Sequence, residues 1–377
     1  MDIHRTASQI SVVVEKSITP TIFDALKSCG ITHVNMATGR RALLQEPKGI
    51  MRIVSGGSRL LDDPINIVTF LVSPEDELPV LDLIIQAGEL DLPGRGSVYA
   101  KSVTLLKAHE RCIENDAREL TISGKSILSN LAGICCIVQK GEGEAIGRIG
   151  LDTGTGVPAI TFGVGTGVRD KLGLWRVTVP AEKEIIEIVT DADTAHHLMD
   201  IMIDIGYLAR PGKGFIYQYP VGYGLLNTRY SVGTTEQAAS IAQIVSAIDQ
   251  IQGSTGWRKR EFSTFREMQE RKYLENLLNF VYICDKGRAD FFTGVAMEAG
   301  AAGATISQIK YLQLDSSGSD GVFPAREAVI MIVAPGQVET IAAALEDNGA
   351  FGDQAHGQLL TSPVTRAYTY IPPKPQQ

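Results

Sequence analysis

The strongest constraint on this 377-residue chain is that its sequence repeats itself. Moving residues 82–103 by 118 positions lays them on residues 200–221 without a gap. Nine of the 22 positions are then identical: Asp82/Asp200, Ile85/Ile203, Gly88/Gly206, Leu90/Leu208, Pro93/Pro211, Gly94/Gly212, Gly96/Gly214, Tyr99/Tyr217 and Val103/Val221. Unrelated segments of average composition would share about one or two. A third copy lies at a further shift of 143, where Gly206, Gly214, Pro220 and Val221 meet Gly349, Gly357, Pro363 and Val364. The front halves align at shifts of 124 and 146, through Lys16, Lys140 and Lys286 and through Gly30, Gly154 and Gly300. The interior of the unit therefore shortens from copy to copy, which a surface loop absorbs and a packed strand does not.

The middle copy gives the clearest reading of one unit. Its pattern predicts a strand over 132–139, a helix ending at the turn 154–156, and strands over 159–164 and 184–189. An amphipathic helix over 194–207, with Leu198, Ile201, Met202 and Ile205 on one face, is followed by Pro211-Gly212-Lys213-Gly214 and a strand over 215–219. The order βαββαβ is that of a ferredoxin-like unit, an antiparallel sheet with two helices on one face. The expected fold class is α+β, with repeats at 8–107, 128–228 and 273–372 joined by helical connectors at 108–127 and 229–272. A lone sheet of this kind leaves one face uncovered, so three in one chain are expected to close on each other as an intrachain pseudo-trimer.

The pattern resembles the PII signalling family (nitrogen regulatory protein P-II) and its PII-like relatives. The resemblance rests on the βαββαβ copies, on the run from Gly163 to Lys171 after strand two, and on the run from Arg210 to Tyr217 before strand four. It implies a T-loop after each second strand, a B-loop before each fourth, and an adenine-nucleotide site in the clefts between units. The expected effector is ATP, ADP or AMP, with no covalent cofactor. The implied partner is a membrane transporter or a metabolic enzyme. The tyrosine-bearing loop tip and the full GFGRQKG-like loop base of the nitrogen-regulating members are missing.

Glycines let a backbone approach a ligand and aim N–H groups at phosphate oxygens, and a nearby cation adds charge. By that criterion the candidate ligand residues are Gly163, Gly165, Gly167, Arg169 and Lys171, with Gly212, Lys213 and Gly214, in the middle copy. In the first copy they are Gly39, Arg40 and Arg41, with Gly94, Arg95 and Gly96. The third copy reads Ala355-His356-Gly357 and carries Asp315 and Asp320 in its loop, so at most two nucleotide-type clefts are expected. The run 206–214 is not a P-loop, because Gly214 stands where Ser or Thr would hold magnesium.

Neighbouring His196 and His197 on a helix cannot converge on one ion, Asp152, Asp191 and Asp193 read as helix-end caps, and no metal site is expected. No nucleophile has a recognisable base beside it, so a regulatory protein is favoured over an enzyme. The alternatives are slow nucleotide hydrolysis in a cleft and a metal-responsive module resembling the CutA relatives. The net charge of −8 argues against a nucleic-acid coat. Without an apolar run of membrane-span length, and with five cysteines lacking CxxC spacing, a cytoplasmic protein with reduced thiols and no membrane insertion is expected.

Overall fold

In the first strand, β1 (Asp2–Glu15), Ile10, Val12 and Val14 alternate with Ser11 and Val13. The first three are completely buried on one face, the period of two that a sheet covered by helices requires. The computed structural model describes residues 2–45, 59–109, 127–167, 181–227, 231–232, 271–314 and 325–371. After β1 come α1 (Thr19–Ser28), β2 (His33–Gln45), β3 (Arg59–Val72), α2 (Glu77–Gly88) and β4 (Gly96–Ala108). The same order recurs as β5 (Leu128–Gln139), α3 (Gly143–Asp152), β6 (Ala159–Gly167), β7 (Ala181–Asp191), α4 (Ala192–Ile205) and β8 (Gly214–Leu225). After the short β9 (Ser231–Val232) it recurs again, as β10 (Leu277–Asp285), α5 (Ala289–Glu298), β11 (Gly303–Gln313), β12 (Ala325–Val333), α6 (Val338–Asp347) and β13 (Gln358–Val364). A last strand, β14 (Arg366–Thr369), completes an α+β architecture that is mostly antiparallel sheet.

Within each unit the strands lie in the order fourth, first, third, second: β4-β1-β3-β2, β8-β5-β7-β6 and β13-β10-β12-β11. Between units the pairing is cyclic. The later part of each second strand pairs with the start of the next: Arg40 lies opposite Ile160, Val164 opposite Ile306, and Lys310 opposite Met36. The final strands close a ring in the other sense. Leu360 lies opposite Leu105, Arg366 opposite Gln218, and Leu225 opposite Val98.

Three apolar cores fill the space between helices and sheet, centred on Ile10 and Ile84, on Ile134 and Met202, and on Phe280 and Leu345. The opposite sheet faces pack on each other, and one inner cluster draws Tyr99 from the first unit, Cys135 and Tyr219 from the second and Val364 from the third. Cys135 and Cys136 thus face different cores, as adjacent strand residues must. On α4, Leu198 and Met202 are buried as the periodicity predicts, but Ile205 is 44% exposed and Met199 and Ile203 complete the buried face instead.

The repeat extends to backbone detail. Gly30, Gly154 and Gly300 all have left-handed φ, at +88°, +64° and +116°, where each first helix turns into its strand. After each second helix, Glu89, Tyr207 and Gly349 are left-handed, and the next N–H returns to a helix carbonyl: Leu90 to Ile85, Leu208 to Ile203, Ala350 to Leu345. Among the described residues, no helix is long and apolar enough to cross a membrane. Of the expected helical connectors only residues 108–109, 127, 231–232 and 271–272 are described, and 231–232 form a strand rather than a helix; the remainder, the T-loop tips, Arg169, Lys171, Asp315 and Asp320 lie outside the described residues.

Candidate functional site

The turn that enters each fourth strand sits at a seam between units, and its carbonyl is anchored by a different side chain in each copy. Arg41 Nη1 donates to Gly94 O at 2.7 Å, Gln139 Nε2 to Gly212 O at 3.2 Å, and Arg326 Nη2 to His356 O. In the first unit, Gly94 N also donates to Asn227 Oδ1 at 3.2 Å, a contact from the end of the second unit that tightens the seam.

The seam between the first and second units gathers most of the candidate residues. Arg40, on β2, holds Asp62 with Nη1 at 2.6 Å and reaches across to Glu184 Oε1 with Nη2 at 3.1 Å. Glu184 is buried, and its other oxygen accepts from Gly141 N at 3.0 Å and Gly143 N at 2.8 Å, capping α3. Glu142, between those two glycines, pairs with Lys213 at 2.6 Å. Arg40 and Lys213 are therefore linked across the seam by two carboxylates and a helix start. Two atoms of this chain, Arg40 Nε and Glu142 Oε2, are buried without a hydrogen-bond partner. Burial opposes the charge on Arg40, but Asp62 and Glu184 outweigh it and hold the guanidinium above its ordinary range.

The other described cations of the candidate set are paired too. Arg41 is 4% exposed and bridges Glu15 and Asp63, and Arg95 holds Glu89 at 2.8 Å and Gly88 O at 3.2 Å. A phosphate entering here would have to exchange places with carboxylates.

The glycines have packing reasons of their own. A Cβ at Gly39 would stand 2.7 Å from Ile160 O, and one at Gly163 2.9 Å from Ile306 O, where second strands of different units cross. At Gly165 it would meet Lys183 Cε at 2.7 Å. Gly96 and Gly214 have φ of +154° and +151°, and a Cβ on either would lie 2.4 Å from a carbonyl of the neighbouring first strand. Gly94 and Gly212 are left-handed at +92° and +74°, and Gly167 ends β6 opposite Gly303. The sequence thus located the seams through residues whose first task is to let backbones meet. It did not locate Glu184, Glu142 or Asn227, which carry no motif of their own.

Asp191 caps α4 by accepting from Asp193 N at 3.0 Å, as its position predicts, whereas Asp152 pairs with Arg148 at 3.0 Å. His196 and His197 lie with ring centroids 5.8 Å apart, and His196 contacts Arg366 rather than a ligand set shared with its neighbour. The cysteines at 29, 135, 136 and 284 are buried, and burial pushes the Cys135 and Cys284 thiols up to about 12, so they stay protonated at neutral pH. On the inner sheet face, burial likewise raises the phenols of Tyr99, Tyr217 and Tyr219 and lowers the Lys101 ammonium, around Glu187, which accepts from the Tyr219 hydroxyl.

No protein-family model matches the chain. A search of curated proteins finds no match either.

Proposed function

We propose that the chain is a PII-like regulatory protein in which three ferredoxin-like repeats form a pseudo-trimer within one polypeptide. It senses a small anionic metabolite in a cleft between repeats and passes occupancy through the loops after its second strands to a protein partner. The observation that carries this reading is the cyclic strand pairing, which sets the second strand of each unit against that of the next and, at the first–second seam, brings Arg40 to Glu184 beside the start of α3. The cleft between the first and second units is the favoured site, because Arg40 and Lys213 face one another there through Glu184 and Glu142. The two carboxylates act as placeholders: an anionic effector replaces them on the cations, and their release alters the base of the loop that follows β2.

Thermal-shift titration of the whole chain with ATP, ADP, AMP, bicarbonate and 2-oxoglutarate tests this, since a ligand bound only by the native state raises the midpoint by mass action. At least one adenine nucleotide is expected to do so. Arg40→Ala is expected to weaken it about tenfold, and Glu142→Gln, which releases Lys213, to tighten it. A flat response across the panel overturns the sensing role.

A further inference from the structure

The seam between the third and first units carries different chemistry. His109 follows β4, and its backbone N–H donates to Gly357 O at 2.8 Å, so the end of the first unit is tied to the turn before β13. Its side chain is 12% exposed, and Nε2 lies 3.0 Å from Asp353 Oδ1. The imidazole of His356 stands edge-on to that of His109, with centroids 4.7 Å apart. One ligand atom from each of His109, Asp353 and His356 lies within 4.8 Å of the others.

We propose that these three side chains bind a divalent transition-metal ion of the zinc class across the seam. Two imidazoles and a carboxylate are borderline nitrogen and oxygen donors, the set that zinc, cobalt and nickel prefer over calcium or magnesium. A tetrahedral ion with bonds of about 2.0–2.1 Å needs its ligand atoms about 3.3 Å apart. The His109–Asp353 pair, 3.0 Å apart, has to open by only about 0.3 Å, and the third ligand needs a closure of no more than about 1.5 Å from the 4.8 Å limit.

The surroundings fit a ligand set. His356 Nδ1 lies 2.6 Å from Asp285 Oδ2, which fixes the ring and aims Nε2 as the donor, the carboxylate–histidine arrangement that supports metal-bound imidazoles. His356 is also held at a left-handed φ of +45°, unusual for a residue with a side chain, and its carbonyl is fixed by Arg326. The Arg326 charge that would oppose a cation is offset by Asp285, 3.8 Å from its Nε. Asp353 is 94% exposed, so it reaches the ion without a desolvation cost and leaves the remaining coordination positions to water. The ligands come from the ends of two units, so a bound ion would also staple the ring closed.

The test uses the full chain stripped with a chelator and titrated with cobalt(II) and zinc(II). Visible absorption reads cobalt coordination, and competition with a chromophoric chelator reads zinc affinity. One ion per chain is expected, with nitrogen coordination in the cobalt spectrum and a zinc-dependent rise in thermal midpoint. Asp353→Asn keeps a hydrogen-bond acceptor for His109 at an exposed position and so preserves the fold. It is expected to weaken binding at least tenfold, as is His356→Gln, and Asp285→Asn about tenfold through loss of ring orientation. Zinc affinity unchanged in both Asp353→Asn and His356→Gln, or no cobalt spectrum in the parent chain, overturns the proposal. Neither result depends on whether nucleotides bind at the other seam.

Discussion

The second and third units bring the same frame to their seams and mount different groups on it. In both, a glutamate on the third strand, Glu184 or Glu327, caps the first helix through two N–H groups, Gly141 and Gly143 in one and Gly287 and Ala289 in the other. In both, the turn before the fourth strand is pinned by its carbonyl, through Gln139 or Arg326. Beyond that they diverge. The second unit places Lys213 against Glu142 and receives Arg40 from its neighbour, whereas the third places His356 beside Asp285 and receives His109. The frame is set by backbone geometry that any copy must keep. The side chains at the seam are under no such constraint, so each seam of this chain carries its own set of groups.

The largest effects are expected where the shared frame itself is broken. At Gly357 a Cβ would lie 2.0 Å from Ala350 O, and at Gly214, already at φ +151°, 2.4 Å from Ile137 O. Both obstacles are backbone, so they cannot swing aside. Alanine at either position is expected to cost about 3 kcal/mol or more in urea unfolding. A near-neutral result at Gly357 would mean that the third turn does not share the frame.

Replacing the two capping glutamates sharpens the comparison. Glu327→Ala removes a helix cap and is expected to cost about 1 kcal/mol. Glu184→Ala removes the same cap and also breaks the bridge to Arg40, which is 22% exposed and keeps only Asp62, so about 2 kcal/mol is expected. Equal losses would show that the Arg40 bridge contributes nothing to the seam. Adding Arg40→Ala should then recover part of the difference in a double-mutant cycle.

The α+β class and the recurring order of strands and helices were legible because glycines at strained positions and apolar faces leave a period in the sequence. Gly30, Gly154 and Gly300 align by letter and share a left-handed backbone. Closure of the units on one another was expected, but which strands pair between them was not legible, since strand partners in different units carry no local signal. The glycines at 39 and 163 therefore read as a phosphate cradle, whereas their closest neighbours are carbonyls of adjoining units. The histidine seam was hidden for the same reason: His109 and Asp353 stand 244 residues apart, and no spacing rule joins them. The adjacent pair His196–His197 was conspicuous in sequence but sits where one member meets an arginine.

The remaining seam, between the second and third units, is expected to yield the smallest effect and completes the contrast. Here His196 on α4 meets Arg366 on β14, beside Tyr273, Asp200 and Arg271. Burial is the largest influence on this imidazole and Arg366 the next; together they outweigh Asp200 and lower its proton affinity below the ordinary histidine value of 6.5. The unfolded chain therefore binds this proton more readily than the folded one. The resulting stabilisation is complete above the unfolded value and is lost as pH falls from about 6.5 through the lower folded value. His196→Gln, which cannot be protonated, is expected to flatten that part of the stability–pH profile and leave the neutral region little changed. An acid limb equally steep in the variant would place the proton uptake elsewhere, and the Arg366 contact would then be a packing feature without an electrostatic consequence.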